Sequence, residues 1–141
     1  MPIDKYMRLY KKILYIIWEF PQTVLAFMII AFLKRKIVRY EDYRSTNVFY
    51  VKDFPGGISL GRYIILAERC YRRESVKKHE FGHSMQSLYL GWLYLTVVGI
   101  PSLTRSIIWR SFKLKSGDYY RGYPENWANR LGSVGEPGSR Y

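Results

Sequence analysis

The feature that most restricts this chain is an apolar run, "ILYIIWEFPQTVLAFMIIAFL", residues 13 to 33, clamped by basic residues at both ends. Its 21 residues are enough to cross a bilayer core of about 30 Å. The run is interrupted by Glu19, Pro21, Gln22 and Thr23. A lone Glu in hydrocarbon costs about 2.5–3.5 kcal/mol on insertion scales, and a proline breaks or kinks a helix. Two arrangements follow: a kinked membrane-spanning anchor, or two short helices bent at "EFPQT" and lying in one leaflet. The competing reading, a core helix of a soluble protein, suits neither the length nor the basic clamps. Residues 1–40 are therefore assigned as a membrane-associated segment anchored by residues 13–33. No small-residue cleavage site follows residue 33, so a removable signal peptide is not expected. Lys5, Arg8, Lys11 and Lys12 precede the run, and Lys34, Arg35, Lys36 and Arg39 follow it. The positive-inside rule thus selects neither orientation, and the side of the membrane stays open.

The charge balance agrees with a lipid bilayer as partner. Lys and Arg number 23 against 11 Asp and Glu, a formal net charge of +12. Such an excess suits an anionic membrane surface or a nucleic acid. The 14 tyrosines and 4 tryptophans suit the membrane–water interface, although stacking on bases is another use for such rings. The basic residues flank apolar segments and form no RNP or helix-turn-helix signature, so no nucleic-acid partner is expected. Cys70 is the single cysteine, which excludes an internal disulfide and a zinc site built on cysteines. Its expected place is a buried or half-buried thiol.

At 141 residues the chain has room for one modest domain, placed at residues 41–132, with a mobile tail at 133–141. "NVFYVKDF" and "ISLGRYIILAE" carry β-branched and aromatic residues on either side of "PGG", and read as a β-hairpin. The glycines are turn residues, since no phosphate-binding pattern is present. One long helix is expected from about Ser75 to Gly99, stopped at Pro101. Its second half, Leu88 to Leu103, is apolar nearly all round, as in a helix buried in protein or lipid. From "TRS" to "GDYYRG" the chain reads as a basic loop. "YPENWANRLG" reads as a short helix with Pro124 in its first turn and Gly132 at its C-terminal cap. The fold class is α+β.

The chemistry lies in "KKHEFGHSMQS", residues 77 to 87, which holds both histidines of the chain. Positions i and i+4 face the same way on a helix, so His79 and His83 can bind one metal ion. Glu80 lies about 100 degrees around from His79, close enough to reach a metal-bound water without being a ligand. Zinc lowers the pKa of such a water to about 7, and the adjacent carboxylate can take its proton as general base. The spacing HExxH points to metal-assisted hydrolysis, most often of a peptide bond. The third ligand must be a carboxylate, because no other histidine exists. Downstream acids are Asp118, Glu125 and Glu136. Glu136 lies in the Gly/Pro-rich tail and Asp118 in an expected loop, so Glu125, on the short helix, is chosen. Its alternative role is a helix-start carboxylate favoured by the helix dipole.

HExxH followed by a Glu on a later helix resembles the gluzincin clan of zinc metallopeptidases. "ENWAN" looks like that clan's second motif, a Glu ligand with an Asp four residues on. The resemblance implies zinc as cofactor, held by His79, His83 and Glu125, with Glu80 as general base. It also implies a minimal zincin core: a small sheet, a long HExxH helix and a short third-ligand helix, behind the membrane-associated segment. Asn129 stands where the clan has Asp to orient the first histidine; its carbonyl oxygen can accept the same hydrogen bond, less strongly. "FPQT", "GGISLG", "HEFGHSMQS", "LGWLYLTVVGIPS" and "ENWANRLG" together resemble a group of small bacterial membrane-associated HExxH proteins without an assigned substrate.

Further residues fit a peptidase. Clan members bind extended substrate at the edge of a strand before the histidine helix, and "GRYIILAE" is placed for that or for ordinary packing. A donor to the tetrahedral oxyanion is also needed; Tyr119, Tyr120, Tyr123 and Arg121 are candidates, Tyr120 and Tyr123 being preferred. Gln86 and Ser87 share the metal-facing side and either orient ligands or pack. The histidine face continues through Leu90, Tyr94 and Val97, which would set the metal near the membrane surface. The expectation is a membrane-associated zinc metallopeptidase acting on a protein or peptide. The alternative is a metal-binding membrane protein without hydrolytic activity.

Overall fold

The computed structural model describes residues 2–134, and the expected mobile tail falls mostly outside them. Among the described residues the chain is α+β, with a small mixed four-stranded sheet. Helices α1 (Pro2–Trp18) and α2 (Phe20–Leu33) come first. Strands β1 (Ile37–Tyr43), β2 (Thr46–Val51), β3 (Gly57–Leu60) and β4 (Tyr63–Ala67) follow. Helix α3 (Glu74–Leu90) carries the histidines. Helices α4 (Ile100–Ser111), α5 (Ser116–Tyr119) and α6 (Glu125–Gly132) complete the fold.

The apolar run does not form one rod. The helices on either side of Glu19 meet at 92°, and no single helix is long and apolar enough to cross a membrane. The polar interruption explains the bend. Glu19, Gln22 and Thr23 are 1%, 0% and 4% exposed, so they face the protein and not the surroundings. Ser87 Oγ donates to Glu19 Oε1 at 2.7 Å, and Gln22 Nε2 lies 2.9 Å from both Ser87 Oγ and the Gly91 carbonyl oxygen. Trp18 Nε1 donates to the Leu88 carbonyl at 2.7 Å. Burying these groups without partners would cost several kcal/mol, roughly 1–3 each. Gln22 Oε1 has no partner among the described residues, and the bonds that are made fasten the bend to the end of α3.

The strands lie where the sequence places β-branched residues, but the pairing differs from the expected hairpin. The sheet order is β1-β2-β4-β3. β1 pairs antiparallel with β2, β2 parallel with β4 (Val48 opposite Ile64), and β3 antiparallel with β4 (Ile58 opposite Ile65). "PGG" is therefore no hairpin turn. It carries the chain across the end of β4, where Ala67 N–H donates to the Gly56 carbonyl. The tight turns lie at Arg44–Ser45, with φ of 47° and 68°, and at Gly61–Arg62. β1 also straddles the boundary set at residue 40. β4 is central, so "GRYIILAE" offers no free edge; the free edge on that side belongs to β3.

Successive strand residues point to opposite faces. Ile64 and Leu66 join Val48, Tyr50, Ala67 and Cys70 in the core, with Val76 of α3 packed against them. Tyr63, on the other face of β4, meets Phe27 of α2 at 5.0 Å between rings. Each fully buried aliphatic chain contributes about 1.5–3 kcal/mol.

The expected helix from Ser75 to Gly99 breaks at Gly91, whose φ is +51°. That left-handed conformation strains any residue with a Cβ, and a Cβ here would meet the Trp18 ring at 2.5 Å. Tight and wide helical turns at Gly91–Leu93 and Leu95–Gly99 lead into α4. Pro101 lies in the first turn of α4 and so starts a helix where a stop was expected, because that turn needs no amide donor from it. Much of the expected basic loop is thus helical.

Candidate metal centre

α3 and α6 cross with their backbones nearly touching. A Cβ on Gly82 would lie 1.8 Å from the Ala128 carbonyl oxygen, and one on Gly132 would lie 1.8 Å from that of Lys78. Only glycines permit this approach, and it brings the first turn of α6 against the histidine face of α3. Glu125 is fully buried there, 0% exposed, beside His79 and His83 at 8% and 5%.

The three side chains converge on one point. His79 Nε2 and His83 Nε2 lie 2.9 and 3.0 Å from Glu125 Oε2, and 3.2 Å from each other. Ligand atoms around a tetrahedral zinc, at bond lengths near 2.0–2.1 Å, stand about 3.3 Å apart; the present spacing needs only a small expansion. His79 Nδ1 lies 2.7 Å from Asn129 Oδ1, and His83 Nδ1 lies 2.7 Å from Gln86 Oε1. Gln86 is oriented by its Nε2, which donates to the Pro124 carbonyl at 3.0 Å. Both amides turn acceptors to the rings, so both Nδ1 atoms carry the protons. Two Nε2 lone pairs and a carboxylate oxygen then face one another, an arrangement that calls for a cation or for protons.

With protons alone, the charges are displaced accordingly. Burial opposes the charged form of His83, but the hydrogen bond with Glu125 and the charges of Glu80 and Glu125 outweigh it and raise its pKa above 6.5. Burial would likewise raise Glu125, but hydrogen bonds from the two histidines hold its carboxyl well below 4.5. The second carboxylate oxygen, Oε1, accepts from Ser102 Oγ at 2.6 Å and Tyr119 hydroxyl at 3.1 Å. The triad could hold a metal ion, its donor atoms lying within 4.8 Å of one another. Two imidazoles and a carboxylate suit zinc.

Glu80, next to His79, is 7% exposed and faces a cleft of about 740 Å³. Ser59 Oγ on β3 contacts Glu80 Oε2 at 2.8 Å and the Glu80 carbonyl at 2.7 Å, fixing the carboxylate. Tyr94 hydroxyl donates to the Ser59 carbonyl at 2.9 Å and braces that strand. Tyr120 lines the same cleft, its ring edge-on to His79 with centroids 5.1 Å apart. Its phenol is raised by burial first and then by the charge of Glu80, so it is a protonated donor at neutral pH. Tyr119 is bound to Glu125, and Tyr123 turns its hydroxyl to the Val97 carbonyl at 2.6 Å, away from the cleft lining. Arg121 pairs with Asp118 at 3.6 Å on the surface. Ser87 is engaged with Glu19 and Gln22 and does not reach the centre.

Ser59 and Ser102 were not singled out by sequence reasoning, and a lone serine on a strand or after a proline carries no signal. Gln86 had one, its i+3 spacing from His83. Comparison of the chain with protein-family models, with curated proteins and with solved structures returned no match. The functional reading therefore rests on this geometry.

Proposed function

We propose that this chain is a metal-dependent hydrolase of the HExxH type, built on a gluzincin-like core. More particularly, it is read as a membrane-associated zinc metallopeptidase. The observation that carries the reading is the convergence of His79, His83 and Glu125, with Glu80 at the wall of an open cleft beside them.

A zinc ion held by the triad supplies Lewis acidity, which makes water a nucleophile near neutral pH. Glu80 takes a proton from the attacking water and delivers it to the leaving amine, as its position one residue from a ligand allows. Asn129 and Gln86 hold the imidazoles in the tautomer with Nε2 free. Ser102 and Tyr119 hold Glu125 in one rotamer. Tyr120 donates its hydroxyl to the developing oxyanion.

Membrane association is supported by exposed apolar side chains around the bend. Ile17, Phe20, Met28 and Phe32 are 57%, 51%, 64% and 87% exposed. Phe20 stacks on Trp92 at 6.3 Å, which joins this face to exposed Leu93, Ile100 and Leu103. A patch of this kind marks a membrane or protein contact. The basic residues within α1 and directly after α2 match anionic headgroups, so the bilayer is the preferred occupant. The 92° bend favours two helices lying in one leaflet over a span.

The test is cleavage of a peptide library by the zinc-loaded protein in detergent, alongside Glu80→Gln. Hydrolysis by wild type and a loss of about 10²–10⁴-fold in the variant are expected. Equal product from both proteins, or none from either, contradicts the reading.

A further inference from the structure

The cleft has a charge character that the hydrolytic residues do not use. Its wall beyond the histidines is formed by the turn before β3, the connection from β4 to α3 and the end of α4, and three arginines line it: Arg69, Arg73 and Arg110. None of the three is paired with a carboxylate among the described residues. Arg69 donates to the Phe54 and Pro55 carbonyls at 2.9 and 2.7 Å, and Arg110 reaches the same Pro55 oxygen at 3.4 Å. Two guanidinium groups from distant parts of the chain thus stand side by side on one neutral acceptor. Like charges so close repel, and a single carbonyl oxygen neutralises neither. An anion between or across them removes the repulsion and can accept from both forks.

The arginines also line the same cleft as the chemistry. A Cβ on Gly57 would lie 2.4 Å from Glu80 Oε1, so the backbone at Gly57 runs beside the general base. Pro55 is two residues back, about 7 Å along an extended chain. An extended substrate with its scissile bond at Glu80 would bring a side chain one or two residues away onto the arginine pair.

We infer that the cleft selects peptides carrying a carboxylate within about two residues of the scissile bond, bound by Arg69 and Arg110 over the Pro55 carbonyl. This rests on the peptidase reading for the position of the scissile bond, but the anion selectivity is testable apart from turnover. The carboxylate is either an acidic side chain or the free C-terminus of the peptide.

The experiment uses the full chain as zinc-loaded Glu80→Gln in a neutral detergent, with fluorescein-labelled heptapeptide pools read by anisotropy. Pools carry Glu, Gln or Lys at one fixed position, with a free or amidated C-terminus. Glu pools should bind about tenfold tighter than Gln pools, and the preference should vanish in Arg69→Gln/Arg110→Gln but persist in Arg121→Gln. A preference that instead follows the free C-terminus supports the inference and identifies the carboxylate as terminal. Should the double variant fail to fold, Arg110→Glu alone is expected to reverse the preference toward Lys pools. Equal binding of all pools, or a preference that survives the loss of both arginines, overturns the inference. So does a result in which the arginines alter only binding to phosphatidylglycerol vesicles. Cleavage of neutral peptides by wild type would leave the peptidase reading standing while this inference falls; acid-selective binding without any cleavage would do the reverse.

Discussion

His79 meets its support at Asn129, whose amide oxygen lies 2.7 Å from Nδ1. A neutral acceptor stabilises the Nδ1–H less than a charged one, and supporting contacts of this kind are worth about 10–100-fold in metal affinity. Asn129→Ala should therefore weaken zinc binding by that order, and Asn129→Asp should strengthen it, as read by competition with a chromophoric chelator. No change in either variant would mean that the contact is idle. The metal-free protein should show a pH signature. His83 is raised above 6.5, so its contribution to stability is complete below that pH and is lost as pH rises through its folded value. Glu125 is held below 4.5, so its contribution is present above that pH and is lost as pH falls. Thermal stability without metal should peak between these values and decline above pH 6.5; with zinc bound the alkaline decline should disappear, because metal replaces the protons. An identical profile with and without zinc would contradict the shared site. At this scale the sequence was informative. Helical periodicity alone puts His79 and His83 together, and the scarcity of downstream acids leaves Glu125. It was silent on Ser59 and Ser102, which act through tertiary contacts that no local pattern encodes.

At the crossing of α3 and α6 the elements are joined through glycines. Gly82 and Gly132 allow α3 and α6 to touch, and that contact brings Glu125 to the histidines. Gly82→Ala should destabilise the fold by about 1–3 kcal/mol through overpacking and lower zinc affinity with it, because α6 must retreat. A variant with unaltered melting temperature and zinc uptake would show that the crossing is looser than described. The strand runs were legible from β-branched and aromatic composition, but not their pairing. The decisive turn, Arg44–Ser45, has positive φ at both residues without the Asn-Gly or Asp-Gly that usually announces it. "PGG" was the louder signal and belonged to a crossover. Pro101 misled for a similar reason, since a proline opens a helix as readily as it closes one.

For the whole molecule, the polar interruption that made the apolar run an imperfect span is what attaches it to the domain. Glu19 and Gln22 face α3, and the apolar residues around them face outward. Run length and composition were visible in the sequence; the inward turn of three polar residues was not, because it depends on Ser87 and Gly91 some 65 positions away or more. Wild type should float with anionic liposomes, and Ile17→Lys/Met28→Lys/Phe32→Lys should partition at least about tenfold less, each side chain losing roughly 1.5–3 kcal/mol of burial. Equal flotation would place the membrane contact elsewhere.

The claim on which the rest depends is that His79, His83 and Glu125 form a single zinc centre. Elemental analysis of purified full-length wild type, His79→Ala and Glu125→Ala, each verified as folded by circular dichroism, tests it most directly. The account predicts stoichiometric zinc in wild type and less than about a tenth of that in either variant. Folded wild type that neither carries zinc nor takes it up, or variants that retain it fully, would contradict the account.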